Sequence, residues 1–359
     1  MYAKQQRISG ILRNFFCNQT RPSRVSSLDR LIFIFMKRTT LMLATAAALL
    51  AGAPVDFAAP FNPKDVAASP AVLFSVDCDA LRASSVGRAI LSEPEVQDKL
   101  AAVGAIFDFD LSKQLHGLTV YTTEAHPKDG VLIVYADFDP NRLITLAKAA
   151  PGFQSATNGS HVTYSWLDDK KKAKDGETPR VCGAILGHRV IFGKDSAHLA
   201  EALEVIDGNA PAFSGHLGLP APDPGESILV QGELLKFDFD SDDQKAAIFK
   251  MSKSVHVKLS EVAHTMTATV RLEAADADTA ANMANIAQGL LALLRLQKSD
   301  ANALKLANAI VIKQDGNAVG LTLSEPSSEL IDMIKEGQKK AQDAKTEAQA
   351  DAKSSKENQ

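Results

Sequence analysis

Three aspartates at alternate positions, Asp238, Asp240 and Asp242, form the densest set of metal-ligating residues in the chain. Carboxylates at positions one, three and five suit an oxygen cage for calcium. The same loop pattern also needs glycine at position six and glutamate at position twelve. Here those places hold Asp243 and Phe249. The acidic run therefore reads first as a cap for a helix over 244–250, with Asp238, Asp240 and Asp242 kept as a calcium candidate. His256 and His264 flank one predicted hairpin, but period-two alternation sends them to opposite faces, and a shared metal needs both on one side. Cys78 and Cys182 could close a disulfide in an oxidising compartment or pack as buried thiols.

Other catalytic patterns are missing. The sequence holds no G-x-S-x-G nucleophile turn, no H-E-x-x-H zinc helix and no glycine fingerprint for a dinucleotide. Gly187 to Lys194, GHRVIFGK, is one residue too long for a phosphate loop, and Asp195 stands where serine or threonine is needed. His116, His126, His161 and His188 fall in loops or at strand edges, where single histidines are ordinary surface. No catalytic residue, cofactor or metal centre is expected from these patterns.

The elements that would position such residues are clearest from Ser254 to Gln297. Val255, Val257 and Leu259 alternate with His256, Lys258 and Ser260. Met266, Ala268, Val270 and Leu272 alternate with threonines, Arg271 and Glu273. Both runs predict half-buried strands joined as a hairpin. Asp276 or Asp278 then caps a helix. Ala280, Met283, Ala287, Leu290, Leu291 and Leu294 make one apolar face, and the end from Leu290 to Leu296 is apolar nearly all round, so the sheet should cover it.

The same grammar recurs earlier. Val72, Phe74, Val76 and Cys78 predict a strand, and helical pattern follows. Strands are expected at 118–122, 131–137, 161–167, 181–186 and 189–192, the last two turning at Gly187-His188. Asp139-Pro140 marks a helix start, with aspartate as cap and proline in the first turn. Asp195 caps another. In the second half a strand at 227–235, a pair around Asp315-Gly316-Asn317 and a helix at 326–334 complete the series.

Residues 70–208 and 226–337 thus share one order: a leading strand, a hairpin, a helix, another hairpin, a helix. The fold class expected is α+β, two pattern-related halves, each mainly antiparallel sheet with helices packed on one face. A Pro/Gly-rich linker, 209–225, divides them, and 60–69 is a second linker. Residues 338–359 lack large apolar side chains and read as a disordered or frayed helical tail.

The start of the chain carries an address. Met36, Lys37-Arg38, the apolar run LMLATAAALL and the small-residue site Ala51-Gly52-Ala53 read as a signal peptide over 36–59. Residues 1–35 then read as an over-extended gene start, with an organelle transit peptide as the competing reading. Beyond Ala59 the chain has 31 basic and 41 acidic residues. That acidic balance argues against nucleic acid as a partner. No membrane span is expected once the signal is removed, and the location expected is periplasmic or secreted.

The stretches VLFSVDCDALRAS, FDFD at Phe107, ADFDPNRL and VRLEAADADTAANM give the chain a layout that resembles uncharacterised exported bacterial α+β proteins with duplicated strand–helix units. That resemblance implies a fold type and an exported location, with no activity attached. The functional expectation is a non-catalytic binding or scaffold protein whose partner is an envelope protein or polymer. The alternatives are a hydrolase using dispersed Asp and Glu residues, and a carrier holding an apolar ligand beneath the Leu290–Leu296 helix.

Overall fold

A computed structural model describes residues 61–124, 130–168, 179–214, 226–236, 248–296 and 301–339. In chain order it contains β1 (Val72–Asp77), α1 (Cys78–Ala83), α2 (Ser85–Leu91), α3 (Pro94–Phe107), α4 (Leu111–Gln114), β2 (Leu115–Thr122) and β3 (Val131–Ala136). Then come α5 (Pro140–Lys148), β4 (Gln154–Asn158), β5 (His161–Leu167), β6 (Arg180–Leu186), β7 (Arg189–Gly193) and α6 (Ser196–Ile206). The remainder is β8 (Glu226–Glu233), β9 (Ser252–Val262), β10 (Thr265–Ala274), α7 (Ala277–Leu296), α8 (Ala301–Ala309), β11 (Ile310–Asp315), β12 (Ala318–Pro326) and a last helix, α9, over 327–339.

The architecture is α+β, built on one open sheet of 12 strands in the order β11-β12-β10-β9-β8-β1-β2-β3-β7-β6-β5-β4. Every described neighbour pair is antiparallel, the pairing that short turns permit. Local capping chemistry sets the helix starts. Asp77, Asp139 and Asp195 each accept a hydrogen bond from a first-turn amide, and Asp276 does the same for Thr279.

Register partners share a face, so the two faces can be followed across the sheet. Phe74, Val230, Val257, Val270, Leu321 and Ile312 lie in one row. At one end of that face Leu81 of α1 packs with Phe74, Val76, Leu118 and Val134. At the other, Ala280, Met283 and Ala284 of α7 cover Val270, Leu272 and Val319. On the opposite face, Leu73, Tyr121, Ile133, Tyr135 and Ile191 pack under Leu199, Ala202 and Leu203 of α6. Helices therefore cover both faces of the sheet around β1, β2 and β3 rather than one. The reason is visible in β1 and β3, where adjacent residues such as Leu73 and Phe74 are both apolar and each face must be covered. Gly193 is required where α6 crosses, because a Cβ there would lie 2.6 Å from the Leu199 amide nitrogen.

Two expectations fail in detail. The end of α7 is not covered: Leu293, Leu294 and Leu296 are 61%, 40% and 73% exposed. The sheet passes only beneath the first half of this helix, at Ala280, Met283, Ala284 and Ala287. Cys78 and Cys182 are free, buried thiols in different core clusters, not a disulfide. Cys78 follows β1, and Cys182 lies on β6, four strands away. At about 4.8 Å per strand that is roughly 19 Å, beyond the ~7 Å limit for bridged Cα atoms.

Candidate functional site

β1 ends at Asp77, whose carboxylate accepts from the Ala80 amide at 2.7 Å and starts α1. Within α1, Asp79 and Arg82 stand one turn apart and form an ion pair. Beside them β2 carries a bulge between Leu115 and Gly117, which pair with Ala136 and Tyr135. A bulge re-aims a side chain, and the residue caught in it is His116. Its Nδ1 lies 3.0 Å from Asp79 Oδ2, and its Nε2 lies 3.1 Å from Asp137 Oδ2. His188, in the β6–β7 turn, brings Nδ1 to 3.1 Å from Asp137 Oδ1. The result is a hydrogen-bonded chain, Arg82–Asp79–His116–Asp137, which His188 approaches from the solvent side, although Asp137 Oδ1 itself has no hydrogen-bond partner among the described residues. The His116 and Arg82 side chains are 11% and 9% exposed, against 63% for His188.

This corrects the expectation that His116 is an ordinary surface residue, while His188 lies exposed in its turn as expected. With a carboxylate at hydrogen-bond distance from each ring nitrogen, both sides of His116 are engaged, and neither nitrogen is left as a metal ligand or a base for a nucleophile. Arg82 is equally engaged. It donates to the backbone carbonyls of Lys113 and Leu115 at 2.9 Å each, besides Asp79. The nearby Cys78 thiol is pushed up by burial and stays protonated, so it offers no thiolate. Asp77 is also pushed up by burial, to about 6, against the opposing hydrogen bond from Ala80.

A groove of about 600 Å³ lies next to this chain, between α3 and the turn into α4. Leu91, Leu100, Phe109 and Leu111 supply apolar lining, and Asp108, Asp110 and Gln114 supply polar groups. The turn is tight: Asp108 has φ 60°, and a Cβ on Gly104 would sit 2.7 Å from the Phe109 carbonyl oxygen. Gln114 belongs to both features, since its side-chain amide donates to the Asp137 carbonyl at 3.0 Å. Burial raises the pKa of Asp110, but hydrogen bonds from Ser112 and Lys113 outweigh it and hold that carboxylate low, as suits a helix cap.

Two more polar constructions escaped the sequence reading. At the tip of the β9–β10 hairpin, Ala263 and His264 have φ of 48° and 60°. The tip is clasped by the first half: Glu261 accepts from the Ser85 amide at 2.9 Å and the Val86 amide at 3.2 Å, and Ser85 Oγ meets His264 Nδ1 at 3.0 Å. Ser327 donates its amide to the His264 carbonyl at 2.9 Å. In mid-sheet, Gln231 and His256 face each other across β8 and β9. They are 1% and 2% exposed, so His256 does not sit on an open face. Both ends of the Gln231 amide and Nδ1 of His256 lack a hydrogen-bond partner among the described residues. Burial, reinforced by Arg271 and Lys258, pushes His256 down to about 4.

Among the described residues no group of three or more His, Cys, Asp or Glu side chains could hold a metal ion. The calcium candidate Asp238, Asp240 and Asp242 lies outside the described residues. His256 lies in β9 opposite Arg271, whereas His264 lies in the turn outside the ladder. Among the described residues no helix is long and apolar enough to cross a membrane.

No protein-family model matches this chain, and no curated protein matches it. Among solved structures it is similar to crystal form III of TP0453, at 12% identity and a TM-score of 0.41, covering 79% of this chain and 99% of that one. Crystal form I of TP0453 is similar at 13% identity and a TM-score of 0.41, covering 76% and 96%. A likeness of that size carries no functional conclusion.

Proposed function

We propose that this chain is an exported, non-catalytic binding protein of the bacterial cell envelope. The observation that carries the reading is the groove between α3 and α4, a concavity whose wall is braced by the Asp79–His116–Asp137 chain through Gln114 and Arg82. Its volume is within the range of about 300–1,000 Å³ typical of ligand sites. The braced residues are occupied with one another, which favours a positioning role over catalysis.

A hydrolase would need two convergent carboxylates with one raised pKa. The raised one, Asp77, is committed to capping α1 and does not line the groove, while the groove's Asp110 is held low. A carrier site beneath the end of α7 is disfavoured by the exposure of Leu293, Leu294 and Leu296. Two halves related by duplication remain part of the proposal. The run β8-β9-β10-β12-β11 follows the same order as β1-β2-β3-β7-β6, which supports it, with β4 and β5 as an extra hairpin in the first half.

The test is crosslinking and pull-down of the tagged chain from osmotically shocked cells, beside an Ala101→Trp variant that fills the groove. A reproducible envelope partner captured by the wild type and lost in the variant supports the reading. Equal recovery by both discards the groove. A soluble, partner-free protein discards the binding function.

A further inference from the structure

We propose that the outer edge of β4 pairs antiparallel with β4 of a second copy of this chain, centred on Ala156, joining two sheets into one. β4 is a terminal strand of the sheet and all five of its residues, Gln154 to Asn158, are exposed. Sheet edges are normally protected by lysine, proline, a bulge or a covering element. Among the described residues β4 has none of these: its side chains are uncharged, and its pairing with β5 is unbroken from Gln154 to Asn158. The other edge, β11, differs. It carries Lys313 and Asp315, and Gln314 donates to the Ala277 carbonyl at 2.9 Å, tying that edge to α7.

The hydrogen-bond phase of β4 fits a twofold centred on Ala156. The β4–β5 turn holds two residues, Gly159 and Ser160, so Asn158 and His161 form the closing bonded pair. Alternation then turns the backbone groups of Asn158, Ala156 and Gln154 inward to β5, and those of Thr157 and Ser155 outward. Two copies aligned on Ala156 oppose Ser155 to Thr157 twice, using all four outward groups. Each side-chain pairing is then like with like: hydroxyl with hydroxyl, and the amide of Gln154 with that of Asn158. No charge meets its own sign among these positions. On one face the row Val162, Thr157, then Ser155 and Tyr164 of the second copy becomes continuous. A five-residue edge is small beside the roughly 1,000 Å² of a stable interface, so the dimer is weak and depends on concentration.

The experiment reads sedimentation of the wild-type chain from about 10 µM to 1 mM, together with oxidation of an Ala156→Cys variant. The two Ala156 positions form a non-bonded pair with Cα atoms about 4.5 Å apart, inside disulfide range. Expected are a dimer that grows with concentration and a crosslink in Ala156→Cys that forms at least tenfold faster than in an exposed control, Ser92→Cys. Thr157→Pro removes one outward donor and spares the β5 ladder, and Ser155→Lys charges the edge; each should weaken the dimer at least tenfold. Should Thr157→Pro fail to fold by circular dichroism, Ser155→Lys decides alone. A monomer throughout, an Ala156→Cys crosslink no faster than the control, or a dimer indifferent to Ser155→Lys overturns the proposal. The last outcome assigns the dimer to another surface.

Discussion

His116 and His256 are buried in the same sheet, three strands apart, and have been treated oppositely. A bulge turns His116 between two carboxylates, and both ring nitrogens are bonded. His256 stands in regular register opposite Gln231, and its Nδ1 has no partner among the described residues. The first ring holds α1, β2 and β3 together. The second costs stability, since an unpaired buried polar group forfeits its hydration. Burial of a histidine therefore says little by itself; the partner at each nitrogen decides whether it stabilises the fold.

The largest expected contrast comes from replacing each ring with leucine. His116→Leu leaves two carboxylates without the ring they share and should lower stability by about 3 kcal/mol in urea denaturation. His256→Leu should fall within about 1 kcal/mol of the wild type. Equal losses in the two variants would break the comparison.

Acid titration sharpens it. His256 titrates near 4 in the fold against an ordinary value of 6.5. Between those values the unfolded chain holds more protons, so lowering the pH drains stability, on the order of 2 kcal/mol. Asp77 has the opposite sign. Its folded value of about 6 lies above the ordinary 3.8, so the folded chain holds the extra proton and gains stability as the pH falls through that window. The two slopes largely offset one another from pH 6 to 4. His256→Leu should tilt the profile towards gain in acid, and Asp77→Asn, which keeps a capping oxygen, towards loss. Denaturation midpoints at pH 7, 6, 5 and 4 read both tilts, and tilts of the same sign would refute the pairing of causes.

Gln231→Leu is the next smaller effect. Removing an amide whose two ends are unpaired should raise stability by about 1 kcal/mol in the same assay, whereas any loss would reveal a partner for that amide. The smallest effect separates backbone strain from polar pairing. Ala263→Gly relieves a left-handed position while the clasp from Glu261 and Ser85 stays, for a gain of about 0.5 kcal/mol in thermal unfolding. A loss there would mean that the turn is not strained.

Much of this layout was legible from side-chain period. Alternation located β9 and β10, and aspartate caps marked where α5, α6 and α7 begin. β4 was not legible, because QSATN has no apolar alternation and an edge strand covered on neither face needs none. α8 was missed for want of a strong stripe. His116 was misjudged because its burial comes from Asp79 and Asp137, 37 and 21 residues away, and from a bulge that no single-chain pattern announces. The end of α7 differs in kind: an apolar run does not tell how far a sheet extends, and here the sheet reaches only the first half of the helix. The groove was invisible for the same reason as the His116 chain, since α3 and α4 meet only through a turn whose tightness depends on Gly104.

The pairing of β1 with β8 also sets an order of assembly. These strands are neighbours at the middle of the sheet yet lie roughly 150 residues apart in the chain. As the polypeptide grows, β1 can join β2 early, but its other side stays bare until the whole first half has been made. The seam that unites the molecule thus becomes possible only once β8 opens the second half, and premature pairing at that bare side is the hazard its folding must outrun.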